Sequence, residues 1–147
     1  GEKESGVTTF FLKHEIDTGD VLFTEKITLT GNESAGDLHD RLMNKGAGLL
    51  VKTVKAVERG RYNEHPQIQL LTGEELKHAP KIFKEECQID WLQPAEVVYN
   101  KIRGLSAVPT AYTDLNGKVL KIYSSLNVLN GFVICFDLFF TCIGHFS

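Results

Sequence analysis

The residue types best suited to chemistry lie in a short polar segment near the N-terminus, residues 14–20, between two apolar runs. A carboxylate on a loop that two strands hold can be placed against a substrate without disturbing the core. Asp17 is therefore the first candidate for a functional residue. The same composition is typical of a plain turn between strands, because Asp bonds its own following backbone and Gly19 accepts a positive φ. The pattern alone favours the plain turn.

A metal site is the second possibility, since His14, Asp17 and Asp20 recur at three-residue spacing. A loop does not align such positions as a helix would, and no further cluster of His or Cys supports the site. We therefore predict no metal. The three cysteines of the chain form neither a C-x-x-C pair nor an even disulfide framework, which predicts a reducing compartment.

The composition is that of an ordinary folded protein. The chain has 147 residues, 42% of them hydrophobic, and 16 Lys and Arg against 19 Asp and Glu give a formal charge of -3. These values exclude a disordered tail, a collagen-like repeat and an obligatory polyanion binder. The first residues do not form a secretory signal, and the chain starts without Met. We interpret it as an excised or partial product.

Two strands and a long helix are predicted to hold the polar segment. Residues 7–12 are β-branched and aromatic, and residues 21–30 alternate apolar and polar side chains with the period of a strand. Residues 34–37 carry a capping pattern, and apolar residues at helical spacing then continue to a stop at Gly60. The glycines at 46 and 48 predict a kink or short break in this helix.

The second half of the chain has its own pattern after a polar, Pro- and Gly-containing linker at residues 63–80. A helix is predicted from Pro94 to Gly104, with an apolar stripe formed by Val97, Val98 and Ile102. A hairpin follows at residues 111–123, because Asn116-Gly117 suits a two-residue type I′ turn.

Three other side chains have both a functional and an ordinary interpretation. His39 is interpreted as part of a solvated helix face, and Cys87 has no neighbour in sequence that would activate a nucleophile. Trp91 could stack on a nucleobase, but beside Ile89 and Leu92 it is more often a plug of a small core.

Whole segments of the chain resemble methionyl-tRNA formyltransferases, in the order in which that family has them. The resemblance covers roughly residues 1–123 and rests on SGVTTF (5–10), IDTGDV (16–21), AGDLHDRL (35–42), GAGLL (46–50), APKI (79–82), IDW (89–91) and IRGLS (102–106).

The resemblance implies an α/β protein in two parts. Residues 1–62 would be the C-terminal part of a Rossmann-like formyltransferase domain, 63–80 the linker, and 81–125 the start of an OB-like β-barrel domain that helps hold tRNA. Residues 126–147 lie outside the resemblance and form an unassigned hydrophobic tail. The tail approaches the length of a bilayer span, but Asp137 lies near its middle, so we expect no membrane anchor and instead an end that packs as a strand or adheres nonspecifically.

The family transfers a formyl group from 10-formyltetrahydrofolate to the amino group of methionine on initiator tRNA. Its catalytic residues are an Asn and a His from an Asn-x-His-x-Ser-Leu-Leu-Pro segment, plus the first Asp of an Asp-x-Gly motif, which corresponds to Asp17. The attacking amine must lose a proton and an oxyanion develops, so the site needs a proton acceptor and hydrogen-bond donors. The resemblance also implies that His14, Glu15, Ile16 and Asp17 contact the reduced folate.

The full Asn-x-His-x-Ser-Leu-Leu-Pro segment does not occur in these residues, and we expect it upstream of Gly1. The fragment alone is therefore predicted to be inactive, whereas its parent would be a monomeric cytoplasmic enzyme of translation initiation. Two alternatives stay open: a sugar-amine formyltransferase of the same fold, and a non-catalytic remnant that binds RNA or a partner.

Overall fold

In the computed structural model the described residues are 1–15, 17–70, 79–128 and 132–141, with the backbone alone described for 70, 127–128 and 132–141. The chain divides into two compact units. One contains Glu2–Thr30 and His39–Ala79, and we call it the loop unit. The other contains Gly1, Gly31–Leu38 and Pro80–Ser147, and we call it the sheet unit.

Two strands of the loop unit form an antiparallel pair, β1 (Glu4–Phe10) and β2 (Val21–Thr28). The register places Thr8 opposite Thr24 and shifts between Thr9 and Phe10. Both predicted strands are confirmed, but β1 lies three residues earlier at its start and ends two residues earlier than expected. The ladder continues past the register shift to the pair Phe10↔Val21 and ends there, so residues 11 and 12 belong to the loop.

The long helix α1 covers Ala35–Glu58 and has the capping predicted from the sequence. The Ser34 hydroxyl accepts a hydrogen bond from the Asp37 backbone N–H at 3.2 Å, while the Asp37 carboxylate accepts from the Ser34 N–H at 2.9 Å and the Ser34 hydroxyl at 2.7 Å. At the other end, Gly60 has a φ of 62°, and the N–H groups of residues 60 and 61 donate to Val57 and Ala56. This is a Schellman ending.

The predicted break in α1 is wrong, since the helix continues through both glycines. A Cβ on Gly46 would lie 3.8 Å from a methyl of Val7, so the glycine lies where the helix approaches β1. Leu49 is almost completely buried on the same helix, and Thr53 hydrogen-bonds to Thr9 of β1 at 2.9 Å. Each glycine costs about 1 kcal/mol in helix propensity, and this cost is small compared with the free energy that the packing contributes.

The start of the predicted linker is ordered in the loop unit. His65 and Val21 exchange two backbone hydrogen bonds, of 2.8 and 2.9 Å, and a 3-10 helix follows at Gln67–Leu70. The pairing places residue 65 beside the first residue of β2. This arrangement was not visible in the polar composition of the segment.

The sheet unit contains a second short 3-10 helix (Glu85–Cys87), the helix α2 (Ala95–Leu105), and three antiparallel strands in the order β3, β4, β5. The strands are β3 (Ala111–Leu115), β4 (Lys118–Val128) and β5 (Phe132–Thr141). A hydrophobic core joins the helix to the sheet and comprises Cys87, Ile89, Val98, Ile102, Leu105, Ala111 and Ile122.

Two details of the predicted helix are corrected. Val97 is 47% exposed, and Leu105 takes its place on the buried face. The spacing of 98, 102 and 105 follows the i, i+4, i+7 positions of one helix face, whereas 97 lies about 100° away. Gly104 lies inside α2, which ends one residue later.

The hairpin prediction is confirmed. Asn116 and Gly117 have φ values of 54° and 75° between β3 and β4, as a type I′ turn requires. Beyond it, β5 pairs with β4 from Val128↔Phe132 to Val119↔Thr141. Much of the predicted hydrophobic tail is therefore a sheet strand. Across the described ranges, no helix has both the length and the apolar character to cross a membrane.

Candidate functional site

The candidate site is the loop of residues 11–20 that joins β1 to β2. Asp17 lies in this loop with an exposed side chain and a φ of 58°, in the left-handed region. Asp is among the residues that enter this region most readily. Among the described residues, none donates a hydrogen bond to its carboxylate, so the charge faces solvent and is available to a ligand.

Gly19 is required for a different reason from the one predicted. Its φ is not positive, but it is buried, and a Cβ built on it would lie 1.6 Å from the Phe11 carbonyl oxygen and 2.9 Å from the Phe10 ring. Glycine allows the two ends of the loop to approach this closely. In the Asp-Thr-Gly sequence, the glycine thus closes the loop while the aspartate takes the left-handed conformation.

Three other polar side chains of the loop, those of Lys13, Thr18 and Asp20, form bonds within the loop. Lys13 and Asp20 form an ion pair with 2.7 Å between Nζ and Oδ2, and the Thr18 hydroxyl donates to the Glu15 carbonyl at 3.0 Å. His14 is exposed. In the part of the chain that is described, no group of His, Cys, Asp and Glu could hold a metal ion.

The predicted folate-contacting residues are only partly described. His14 and Glu15 are exposed and lie three and two positions before Asp17, whereas Ile16 lies outside the described residues. The loop thus brings His14, Glu15 and Asp17 onto one exposed segment.

Gln67 contributes to the site and was assigned to the linker by the sequence analysis. Its side-chain amide donates to the carbonyl of Asp17 at 2.7 Å and to that of Gly19 at 2.8 Å. A glutamine 50 positions away in the sequence gives no local signal of such a contact.

An open apolar groove of about 550 Å³ lies between β1, the start of the loop and α1. Phe11 and Leu12 line it from the loop side, and Leu50, Val54 and Val57 line it from the helix. Leu12 is 89% exposed. An apolar wall therefore leads directly into the loop that carries Asp17.

For His39 and Cys87, the exposure of the side chain decides between the functional and the ordinary interpretation. His39 is exposed, in agreement with a solvated face. Cys87 is buried in the sheet-unit core, and its thiol lies 3.4 Å from the Phe83 carbonyl oxygen.

The prediction that Trp91 plugs a core is wrong. Its side chain is 48% exposed, and its indole N–H donates to the Thr113 hydroxyl at 2.9 Å. Ile89 occupies the buried position instead. The ring of Trp is too large for this small core and its N–H needs a partner, which β3 offers at the surface.

Asp90, between these two residues, forms a tight turn. Its carboxylate accepts from the Gln93 amide at 2.9 Å and from the Leu92 N–H at 3.0 Å, and these bonds lower the pKa of Asp90 below its usual value. Within the Ile89-Asp90-Trp91 segment, Ile89 thus lies in the core, Asp90 forms a turn and Trp91 lies at the surface.

Arg103 has a comparable structural role in the sheet unit. Its guanidinium donates to the Asn100 side chain at 2.8 Å and to the Glu33 carbonyl at 3.0 Å. A cleft of about 420 Å³ opens elsewhere in this unit, with Lys84 and Lys121 beside the apolar residues Pro109, Tyr112 and Val119.

Comparison with protein families accounts for both halves of the chain. Residues 1–54 match the model of the family described as formyl transferase, and residues 81–131 match that of its C-terminal domain. The chain belongs to the formyl transferase family. The second match extends beyond residue 123, where the resemblance in the sequence ended.

A curated relative is the methionyl-tRNA formyltransferase of Bacteroides fragilis, which is 45% identical over 130 residues. The aligned region covers 85% of this chain and 40% of the relative, so the chain spans less than half of that protein.

Two solved structures share the fold. The methionyl-tRNA formyltransferase of Clostridium thermocellum aligns with a TM-score of 0.65 at 18% identity, over 95% of this chain and 57% of that chain. HypX from Aquifex aeolicus, in complex with tetrahydrofolic acid, aligns with a TM-score of 0.67 at 22% identity, over 84% of this chain and 21% of that chain. The predicted α/β formyltransferase fold is thereby confirmed.

Proposed function

We propose that the whole protein transfers a formyl group from 10-formyltetrahydrofolate to the amino group of methionyl initiator tRNA, and that Asp17 is the catalytic residue supplied by this chain. The observation that carries the proposal is the Asp17 loop itself. It presents one carboxylate, free of ion pairs among the described residues, on a backbone fixed by Gly19 and Gln67. The relative at 45% identity carries the name of this activity.

The chemistry requires a group of this type. When an amine attacks the formyl carbon, its nitrogen must lose a proton, and a carboxylate can accept that proton through water or orient a neighbouring His that does so. Hydrogen-bond donors for the developing oxyanion are a separate requirement. We assign them to the Asn and His that the resemblance implies outside these residues, so the chain from Gly1 to Ser147 alone is expected to be inactive.

The proposed folate site is the segment of His14, Glu15 and Ile16 next to Asp17, in which His14 and Glu15 are exposed. Backbone N–H and C=O groups of such a segment can pair with the edge of a pterin ring, as in other sites where few polar groups fix the orientation of a ligand. The neighbour HypX was solved in complex with tetrahydrofolic acid, which supports a folate site on this fold.

For the tRNA, we propose the sheet unit as an incomplete OB-like barrel that contributes to binding. Lys84 and Lys121 flank its cleft, and two lysines beside an apolar wall offer phosphate contacts with space for a sugar or base. This function also implies a monomeric enzyme located in the cytoplasm.

The experiment uses a completed enzyme, made by joining the part of the Bacteroides fragilis relative that precedes the aligned region to Gly1. It is assayed with 10-formyltetrahydrofolate and either methionyl initiator tRNA or an amino-sugar nucleotide. Formyl transfer to methionyl-tRNA, with none to the sugar amine, is expected. The reverse preference would replace the proposal with the sugar-amine alternative. Binding of tRNA without any transfer would favour a non-catalytic remnant.

A further inference from the structure

Gln67 holds the candidate catalytic loop from outside it. The two N–H bonds of a glutamine side-chain amide can serve two acceptors, and here both acceptors are carbonyls of one loop, those of Asp17 and Gly19. The N···O distances of 2.7 and 2.8 Å lie at the short end of the usual range.

The backbone around Gln67 is itself fixed, which makes this contact more than a chance surface bond. His65 is paired with Val21 through two backbone hydrogen bonds, and Val21 directly follows the loop. Pro66 then restricts the chain, and the Gln69 N–H donates back to the Pro66 carbonyl at 3.0 Å. These backbone contacts therefore place residue 67 beside the loop, whatever rotamer its side chain adopts.

The loop needs support at this point. Asp17 has a left-handed backbone, and a non-glycine residue in that region costs free energy unless its surroundings determine it. The Lys13–Asp20 ion pair is exposed and contributes little. The Gln67 amide donates to the carbonyls of Asp17 and Gly19, on either side of Thr18, and so fixes the backbone of that segment.

We propose that Gln67 is a positioning residue for Asp17, resting on the proposed function of that aspartate. It contacts no reacting atom. By fixing the carbonyls of Asp17 and Gly19, it sets the direction in which the Asp17 carboxylate leaves the loop. The segment that the sequence presents as a linker thus completes the site.

The structural test compares Gln67→Glu with its matched control Gln69→Glu in the chain from Gly1 to Ser147. Glu has the shape of Gln but replaces both donors with an acceptor, and Gln69 is an exposed glutamine of the same 3-10 helix. Hydrogen exchange of the amides in residues 11–20 should accelerate for Gln67→Glu alone. Unchanged exchange in that variant would overturn the proposal. Gln67→Ala, which introduces no charge, gives the same comparison if Gln67→Glu does not fold.

The functional test is a double-mutant cycle in the completed enzyme. A misplaced catalytic group costs about 10- to 100-fold, so Gln67→Ala should lower kcat by that factor while the midpoint of urea unfolding stays unchanged. In an Asp17→Asn background, Gln67→Ala should have no further effect, because a positioning residue acts only through the group it positions. If the two substitutions instead lowered kcat by factors that multiply in the double variant, the positioning role of Gln67 would be overturned.

The two assignments can fail separately. If Asp17→Asn keeps the parental kcat, the proposed catalytic site is wrong, and the exchange experiment decides alone whether Gln67 orders the loop. If Asp17→Asn is impaired and Gln67→Ala is not, the proposed function stands and the positioning role is wrong.

Discussion

A Cβ on residue 19 would lie 1.6 Å from the carbonyl oxygen of Phe11, so Gly19 and Phe11 fit together only because residue 19 has no side chain. The close approach of Gly19 to the Phe11 carbonyl closes the loop between β1 and β2 at its base. We therefore expect Gly19→Ala to displace the backbone of Phe11 or of the loop and to lower the free energy of unfolding by about 2 kcal/mol. Urea unfolding measures the change.

Gly48→Ala is the matched control, since nothing lies within 4 Å of a Cβ built there. Gly48 is an exposed position inside α1, where alanine has the higher helix propensity. The free energy of unfolding of this variant should rise by about 0.5 to 1 kcal/mol. If Gly19→Ala were as stable as Gly48→Ala, the close approach to Phe11 would be incorrect.

The second prediction concerns Asp17. In the completed enzyme, Asp17→Asn keeps the shape of the side chain and its tolerance of the left-handed region but removes the charge. A positioned acid or base contributes about 10²- to 10⁴-fold, so kcat with methionyl-tRNA should fall by that factor. Asp20→Asn, which breaks only an exposed ion pair with Lys13, should have a much smaller effect. Equal turnover of the two variants would contradict the assignment.

The third prediction is a pH dependence at the start of α1. The hydroxyl of Ser34 and then its backbone N–H bond to the Asp37 carboxylate and hold the pKa of Asp37 below its usual value. A carboxyl with a lower pKa in the folded chain stabilises the fold above its unfolded pKa, about 4. That stabilisation is lost as pH falls through the lower folded pKa.

Ser34→Ala should therefore unfold at lower urea concentration than the parent at pH 6. The difference should shrink as the pH falls below about 4, because Asp37 becomes protonated in both proteins. A difference between the two midpoints that stays constant from pH 6 to pH 2.5 would argue that Ser34 acts through its own capping bond alone.

The fourth prediction concerns the C-terminal strand. The sequence predicts a tail that packs as a strand or adheres nonspecifically, and the structure has the strand, because β5 pairs with β4 along most of its length. Deleting residues 132–147 should leave the N–H and C=O groups of β4 that bond to β5 unpaired at a sheet edge, and so lower the thermal midpoint and promote aggregation. Deleting only 142–147 is the control and removes no described strand. An increase in solubility after the longer deletion would contradict this prediction and favour a tail that adheres nonspecifically.

Local sequence patterns determined most of the secondary structure of this protein. The capping pair of Ser34 and Asp37, the stop at Gly60 and the Asn116-Gly117 turn were all identified correctly, because each depends on backbone preferences within a few residues. The family of the chain was also accessible from the sequence, since its motifs occur in order over most of the length.

The tertiary structure decided which residues complete the candidate site. Gln67 reaches Asp17 across 50 positions of sequence, and Gly19 is needed because of Phe11, not because of its own φ. Trp91 likewise lies at the surface because the small core was already filled by Ile89 and its neighbours. Contacts between segments distant in sequence arise from packing in three dimensions, and neither composition nor periodicity encodes them locally. The sequence by itself therefore determined that a carboxylate loop exists, while only the folded chain decided what holds that loop in place.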